Sequence, residues 1–149
     1  MATVFDAAAY ILKLRLPKEP TGISTWKLQK LVYYSQAWST VWDDDVLFAE
    51  RIEAWANGPV SPDLYSFHKG HFKISSLPKG CGKISALTKV QKETIEAVVD
   101  HYGKHKAHYL SALTHSEKPW KDARKGIPEG ERSNVLITPA AMANYYGNL

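Results

Sequence analysis

The sequence predicts a mainly α-helical fold, a single compact helical domain over residues 1–149 with a small β-hairpin or short antiparallel sheet near the middle. Three observations predict it. Apolar residues recur at three- and four-residue spacing through most of the chain. Serine and threonine caps, some followed by proline, mark helix starts. Only one short stretch, Arg51–Trp55, alternates as a half-buried strand does.

Thr3 caps a first helix along which Val4, Phe5, Ala8, Ile11 and Leu12 share a face, and Pro17 and Pro20 end it. Ser24 or Thr25 caps the next helix. Its stripe is Leu28, Leu31, Val32, Ser35, Trp38 and Trp42, which leaves Lys27, Lys30 and Gln36 toward solvent. The acids Asp43, Asp44 and Asp45 stop it, since negative charge sits badly at that end of a helix dipole. After the strand, Asn57-Gly58-Pro59 reads as a turn, and Ser61-Pro62 opens a short helix that runs to about His68. Residues 71–87 fit either a hairpin of Phe72–Ile74 with Ile84–Leu87 or an irregular excursion. Thr88 and Gln91 form a capping box for a helix ending at Gly103. Helices over about 106–115, from Pro119, and from Thr138-Pro139 complete the chain.

Hydrophobic residues make up 44% and charged residues 23%, which excludes disordered and collagen-like classes. No run of about 18 apolar residues exists, so no membrane partner is expected. The start lacks a basic stretch before its apolar residues, and Cys81 is the single cysteine, so the cytoplasm is the expected compartment. The net charge of +4 is uneven. Residues 1–65 carry 6 Lys/Arg against 8 Asp/Glu; residues 66–125 carry 12 against 5 and hold all six histidines. That basic middle suits an acidic partner or nucleic acid, or is a solvated lysine surface.

Catalytic and cofactor chemistry finds little footing. Cys81 lies between glycines with no helix start to activate it, and Gly80–Lys83 lacks the spacing of a phosphate-binding loop. His101, His105 and His108 would align on one helix, but Gly103 interrupts it, so no metal and no cofactor is expected. Asp43–Asp45 and the pair Glu50 and Glu53 organise no acid–base couple. Phe67, Phe72, Tyr102, Tyr109 and Trp120 are interleaved with lysines as in single-strand binders, yet Arg124 is the only arginine of that segment, and Tyr109 fits a core stripe with Leu110 and Leu113. Nucleic acid is therefore a possible partner but not the favoured one. Five tryptophans and eight tyrosines are many for this length; any that lie at the surface suit interface anchors.

Three blocks together resemble the SocA-like antitoxin family, the Panacea domain: TWKLQKLVYYSQAW at 25–38, IEAWANGPVSPDLY at 52–65 and LSALTHSEKPW at 110–120. The resemblance spans about Val4 to Tyr146. It implies a non-enzymatic antitoxin that binds and blocks a cognate protein toxin encoded next door, with a protease or chaperone as a possible further partner. The motif residues Lys27, Leu28, Gln29, Lys30, Leu31, Tyr33 and Tyr34, then Trp55, Gly58 and Pro59, then Thr114, His115, Pro119 and Trp120 read as scaffold. Gly58 and Pro59 serve as backbone devices, and His115 as a hydrogen-bonded pin between helices. The expected toxin-contact residues are Trp55, Val60, Asp63 and Tyr65 around the turn, with Lys69 and Lys73 from the basic segment.

Overall fold

In the computed structural model, which describes residues 1–149, one helix is the axis of the molecule. Helix α2, Thr25–Trp42, packs against α1 (Val4–Arg15), α4 (Lys89–Tyr102), α5 (Ala107–Ser116), α7 (Pro139–Tyr146) and strand β3 (Gly58–Val60). Because neighbours surround it, α2 has no solvent side over most of its length. Lys27, Lys30 and Gln36 are buried beside Leu28, Leu31 and Val32, against the expectation of an amphipathic stripe. Burial of these polar groups is tolerated where a partner meets them. The Lys27 ammonium donates to Glu19 at 3.0 Å. Gln36 donates to the Phe48 carbonyl at 2.8 Å and accepts from the Leu47 amide at 2.8 Å, which ties the coil after α2 to its flank. Only at the C-terminal end does the helix emerge, with Trp42 half-exposed and stacked on Trp38.

Helix starts follow the caps. Thr3 and Asp6 close a capping box on α1, and Thr88 and Gln91 do so on α4. Ser61 accepts the Leu64 amide at the start of α3 (Pro62–His68), and Thr138 accepts that of Ala141 on α7. At α2 the residues swap roles. Ser24 holds the cap position without a side-chain bond, while the Thr25 hydroxyl donates to the His71 and Phe72 carbonyls. Helix α6, Lys118–Ala123, is short, with Pro119 in its first turn.

Two small antiparallel sheets complete the mainly α architecture. Strand β2 (Ile52–Trp55) lies between β3 and β5 (Leu136–Ile137), with Trp55 opposite Gly58, Ala54 opposite Pro59 and Ile52 opposite Ile137. The hairpin is tighter than expected: Ala56 and Asn57 make the turn, and Gly58-Pro59 already belong to the returning strand. The pair β1 (Ile23–Ser24) and β4 (Lys73–Ile74) joins the start of α2 to the segment after α3. Residues 71–87 are thus an excursion, not a hairpin. One end pairs with β1, and the other forms a 3-10 turn, Ile84–Ala86, that packs on α1.

Candidate partner-binding site

The three sequence blocks converge on the β2–β3 hairpin. Three of its carbonyls accept hydrogen bonds from the third block and its continuation. Arg124 donates to Ala54 at 3.1 Å, the Trp120 indole to Trp55 at 2.8 Å, and the Ser111 hydroxyl to Asn57 at 3.2 Å. Arg124 also donates to the Glu131 carbonyl at 2.7 Å and lies over the Trp120 ring, so the segment leading to β5 is held by the same guanidinium. From the first block, Gln29 accepts the Ser61 amide at 2.9 Å, donates to the Ser61 carbonyl at 3.2 Å and meets the His68 ring at 2.9 Å. Helix α3 is thereby fixed at both ends. A backbone with its peptide groups satisfied by side chains from two helices is rigid on the scale that binding requires.

Beneath the hairpin two nitrogens have no partner, Nζ of Lys30 and Nε2 of His115. Gly58 has φ +125°, which only glycine adopts freely, and a Cβ there would stand 2.6 Å from Cε of Lys30 and 3.2 Å from Oγ1 of Thr114. The missing side chain is what lets the lysine stem pass under the strand. Burial pulls the Lys30 ammonium down to about 8, and its nearest compensation is the Trp26 ring, 5.5 Å from Nζ. His115 stacks flat on Trp120 at 3.9 Å. Burial lowers its pKa; the Asn57 carbonyl opposes that shift, and the positive charges of Lys30 and Arg124 add to it. The expected hydrogen-bonded pin is not what His115 forms: its ring stacks on Trp120 across α5 and α6, and Nε2 is left unpaired.

On the outer side of the hairpin lies an open groove of about 530 Å³. Its apolar walls are Trp26, Trp55 and Tyr65, with Tyr65 edge-on to Trp55 at 4.9 Å and tilted against Trp26 at 6.1 Å. Glu53 lies at its base, accepting from the Trp55 indole at 2.9 Å and from Arg51 at 2.6 Å. Asn57 on the turn and Arg132 with Asn134 before β5 form the rim. Aromatic walls with few polar groups are the usual make-up of a recognition surface.

Elsewhere α2 carries a fully paired polar web. Glu117 accepts from the Tyr34 hydroxyl at 2.7 Å and from Tyr146 at 2.8 Å, and Tyr33 meets Tyr146 at 3.0 Å. Tyr34 stacks on Tyr102 at 4.0 Å, and the Trp38 indole donates to the Tyr102 hydroxyl at 2.9 Å. Burial raises the Glu117 pKa, and the two tyrosine hydrogen bonds pull it back. This web joins α2 to α4, the α5–α6 junction and α7, and its work is structural.

Of the expected contact residues, the groove brings together Trp55 and Tyr65. Asp63 is exposed on the first turn of α3; Lys69 is exposed at the end of that helix, and Lys73 is exposed on β4. Val60 is wholly buried and presents nothing to a partner: all three residues of β3 are covered, with α2 and α5 packed against the strand. The motif residues Leu28, Leu31, Tyr33 and Tyr34 are core, and Lys27, Gln29, Lys30, Gly58, Pro59, Thr114 and Pro119 are buried with them. Sequence reasoning missed Trp26, Glu53, Asn57 and Arg132 as groove residues. Trp26 and Asn57 sit within or beside the motif blocks, but Arg132 joins them only through the Arg124 clasp on Glu131. Tyr109, assigned to a core stripe, is exposed and stacks on His105. His101 ends up on α4 and His108 on α5, with His105 in the turn between, so the three share no helix face.

The fold and the site define a helical scaffold that braces one aromatic hairpin at its surface. The chain belongs to the SocA-like antitoxin family: the family model described as antitoxin SocA-like, Panacea domain, matches residues 28–121, more than half of the chain. No curated protein and no solved structure matches it. No helix is long and apolar enough to cross a membrane.

Proposed function

We propose that this chain is the antitoxin of a bacterial or phage toxin–antitoxin pair, acting as one cytoplasmic domain that neutralises its cognate toxin by direct protein–protein binding and without catalysis of its own. The observation that carries this reading is the convergence of all three family blocks on the hairpin bordered by Trp26, Trp55 and Tyr65. Rigid aromatic side chains lose little entropy on binding and dominate hot spots, so bracing them favours tight occlusion of a protein surface. The toxin is the product of the adjacent reading frame, and the contact residues are Trp55, Tyr65, Asp63, Lys69 and Lys73. A protease or chaperone is a further partner where neutralisation proceeds by handing the toxin on.

Co-expression with the adjacent reading frame tests this. The neighbour alone arrests growth, and this chain restores growth and co-purifies with it. A harmless neighbour sinks the proposal. A second reading, a nucleic-acid-binding regulator, draws on the excess of lysine over residues 66–125. Retention of nucleic acid that falls steeply with rising salt favours that reading instead.

A further inference from the structure

Resting on that reading, we propose that the Trp26–Trp55–Tyr65 groove receives an acidic segment of the partner protein, an apolar or aromatic side chain flanked by carboxylates. The charges around the groove carry the argument. Its one buried carboxylate, Glu53, is already paired with Arg51, so the base of the groove is close to neutral. Arg132 on the rim is exposed and takes part in no ion pair. At the α3 end two exposed lysines stand nearby. Lys69 directly follows His68, whose ring meets Trp26 edge-on at 6.0 Å, and Lys73 pairs across the strands with Ser24, two residues before Trp26.

The fourth charge is hidden. Nζ of Lys30 lies one layer below the groove, 5.5 Å from the centre of the Trp26 ring and 3.1 Å from where a Cβ of Gly58 would be. No carboxylate neutralises it. An uncompensated ammonium in a low-dielectric interior projects its field much farther than an exposed one. Its field falls on the aromatic wall, and one such wall face is already committed to a cation. A partner cation is thus disfavoured and a partner carboxylate favoured. Asp63 on α3 and Glu129 and Glu131 beside Arg132 are exposed acids in no ion pair, and, like Lys69 and Lys73, none of them lines the groove. The same cations would attract nucleic acid. Against that, the groove holds a single unpaired arginine, too few donors to read bases or to track a run of phosphates.

The test titrates the full chain with a blocked octapeptide of glutamates around one tyrosine, with the matching lysine peptide, and with a short oligothymidylate, following the indole N–H signals of Trp26 and Trp55. The acidic peptide should shift both signals saturably with a Kd below about 1 mM, and the lysine peptide should bind about tenfold more weakly or not at all. Lys30→Met, which keeps the volume, should weaken the acidic peptide about fivefold. Charge reversal at Arg132, Lys69 and Lys73 together should abolish its binding, whereas reversal at Lys89, Lys104 and Lys106, outside the groove, should not. Equal binding of the two peptides, shifts confined to other residues, no saturable binding, or tighter binding of the oligothymidylate each overturn the inference. It fails separately from the proposed function. If the wild type rescues growth and the Arg132/Lys69/Lys73 reversal rescues equally, the acidic segment falls while the antitoxin stands.

Discussion

Two polar regions flank the same helix and differ in one respect. Around Glu117, Tyr33, Tyr34, Tyr102, Trp38 and Tyr146 exchange hydrogen bonds so that each buried hydroxyl or indole has a partner. Around Gly58, about one turn closer to the start of α2, buried Lys30 and half-buried His115 each keep a buried nitrogen unpaired. The first arrangement is what a stable interior requires. The second costs stability and is located beneath the groove that carries the proposed function, where proteins commonly accept such a cost. The contrast separates what holds the molecule together from what it presents.

The sharpest way to break the comparison is at Glu117. Glu117→Ala leaves two buried tyrosine hydroxyls without an acceptor and should lower stability by about 2–4 kcal/mol in urea unfolding, whereas Glu117→Gln keeps an acceptor and should cost about 1 kcal/mol. A loss below about 1 kcal/mol for the alanine variant would contradict the structural role given to the web. Next is Gly58→Ala. It combines a strained φ with a clash on the Lys30 stem, a cost of about 2 kcal/mol. Combining it with Lys30→Ala should return the steric part, leaving a coupling of about 1 kcal/mol in a double-mutant cycle. Strict additivity would mean the two do not meet.

Lys30 also sets a pH dependence. Its folded pKa of about 8 lies below the unfolded value near 10.4. Below pH 8 both states carry the proton and the full penalty applies. Between about pH 8 and 10 the folded lysine releases it while the unfolded chain keeps it, so stability should rise with pH by up to about 2 kcal/mol. The buried tyrosines, whose pKa values are raised, oppose this only above pH 10. In Lys30→Met the rise should vanish, and the variant should be about 1 kcal/mol more stable than wild type at pH 7. A wild-type curve that is flat from pH 8 to 10 would mean the ammonium is solvated after all. The smallest effect is expected on the presenting side. Asn57→Ala should change stability by less than about 0.5 kcal/mol, because its side chain is exposed on the turn and the bond from Ser111 goes to its backbone.

Much of the fold was legible in the sequence, and the reason is locality. Thr3, Ser61, Thr88 and Thr138 cap helices through bonds that span three residues, and a three-residue pattern is visible in one dimension. The blocks that identify the family were equally legible. Illegible was the environment of α2. Lys27, Lys30 and Gln36 look like a solvent face until segments 8 to 12 residues or more away fold over them, and no periodicity announces a helix buried all round. Strand β5 escaped for a similar reason: two residues make no alternation, and only pairing with β2 makes them a strand. At the groove, Trp55 and Tyr65 were readable as aromatic residues beside a turn. Val60 was misplaced because it shares a sheet face with Trp55 and Glu53, and only the tertiary packing that covers all of β3 hides it. Arg132 and Trp26 reach the groove through tertiary contacts that no spacing rule encodes.

The bond between Tyr33 and Tyr146 spans 113 residues. During synthesis, α2 leaves the ribosome early and then waits for α7, which at about 5–20 residues per second is a delay of roughly 5–20 s. The face of α2 that α7 covers is exposed for that whole interval, even where earlier segments have already packed on its other sides. Each new molecule therefore passes through a window in which it is sticky, open to proteases and without its final clasp, and how fast the cell translates the stretch between the two tyrosines sets how long that window lasts.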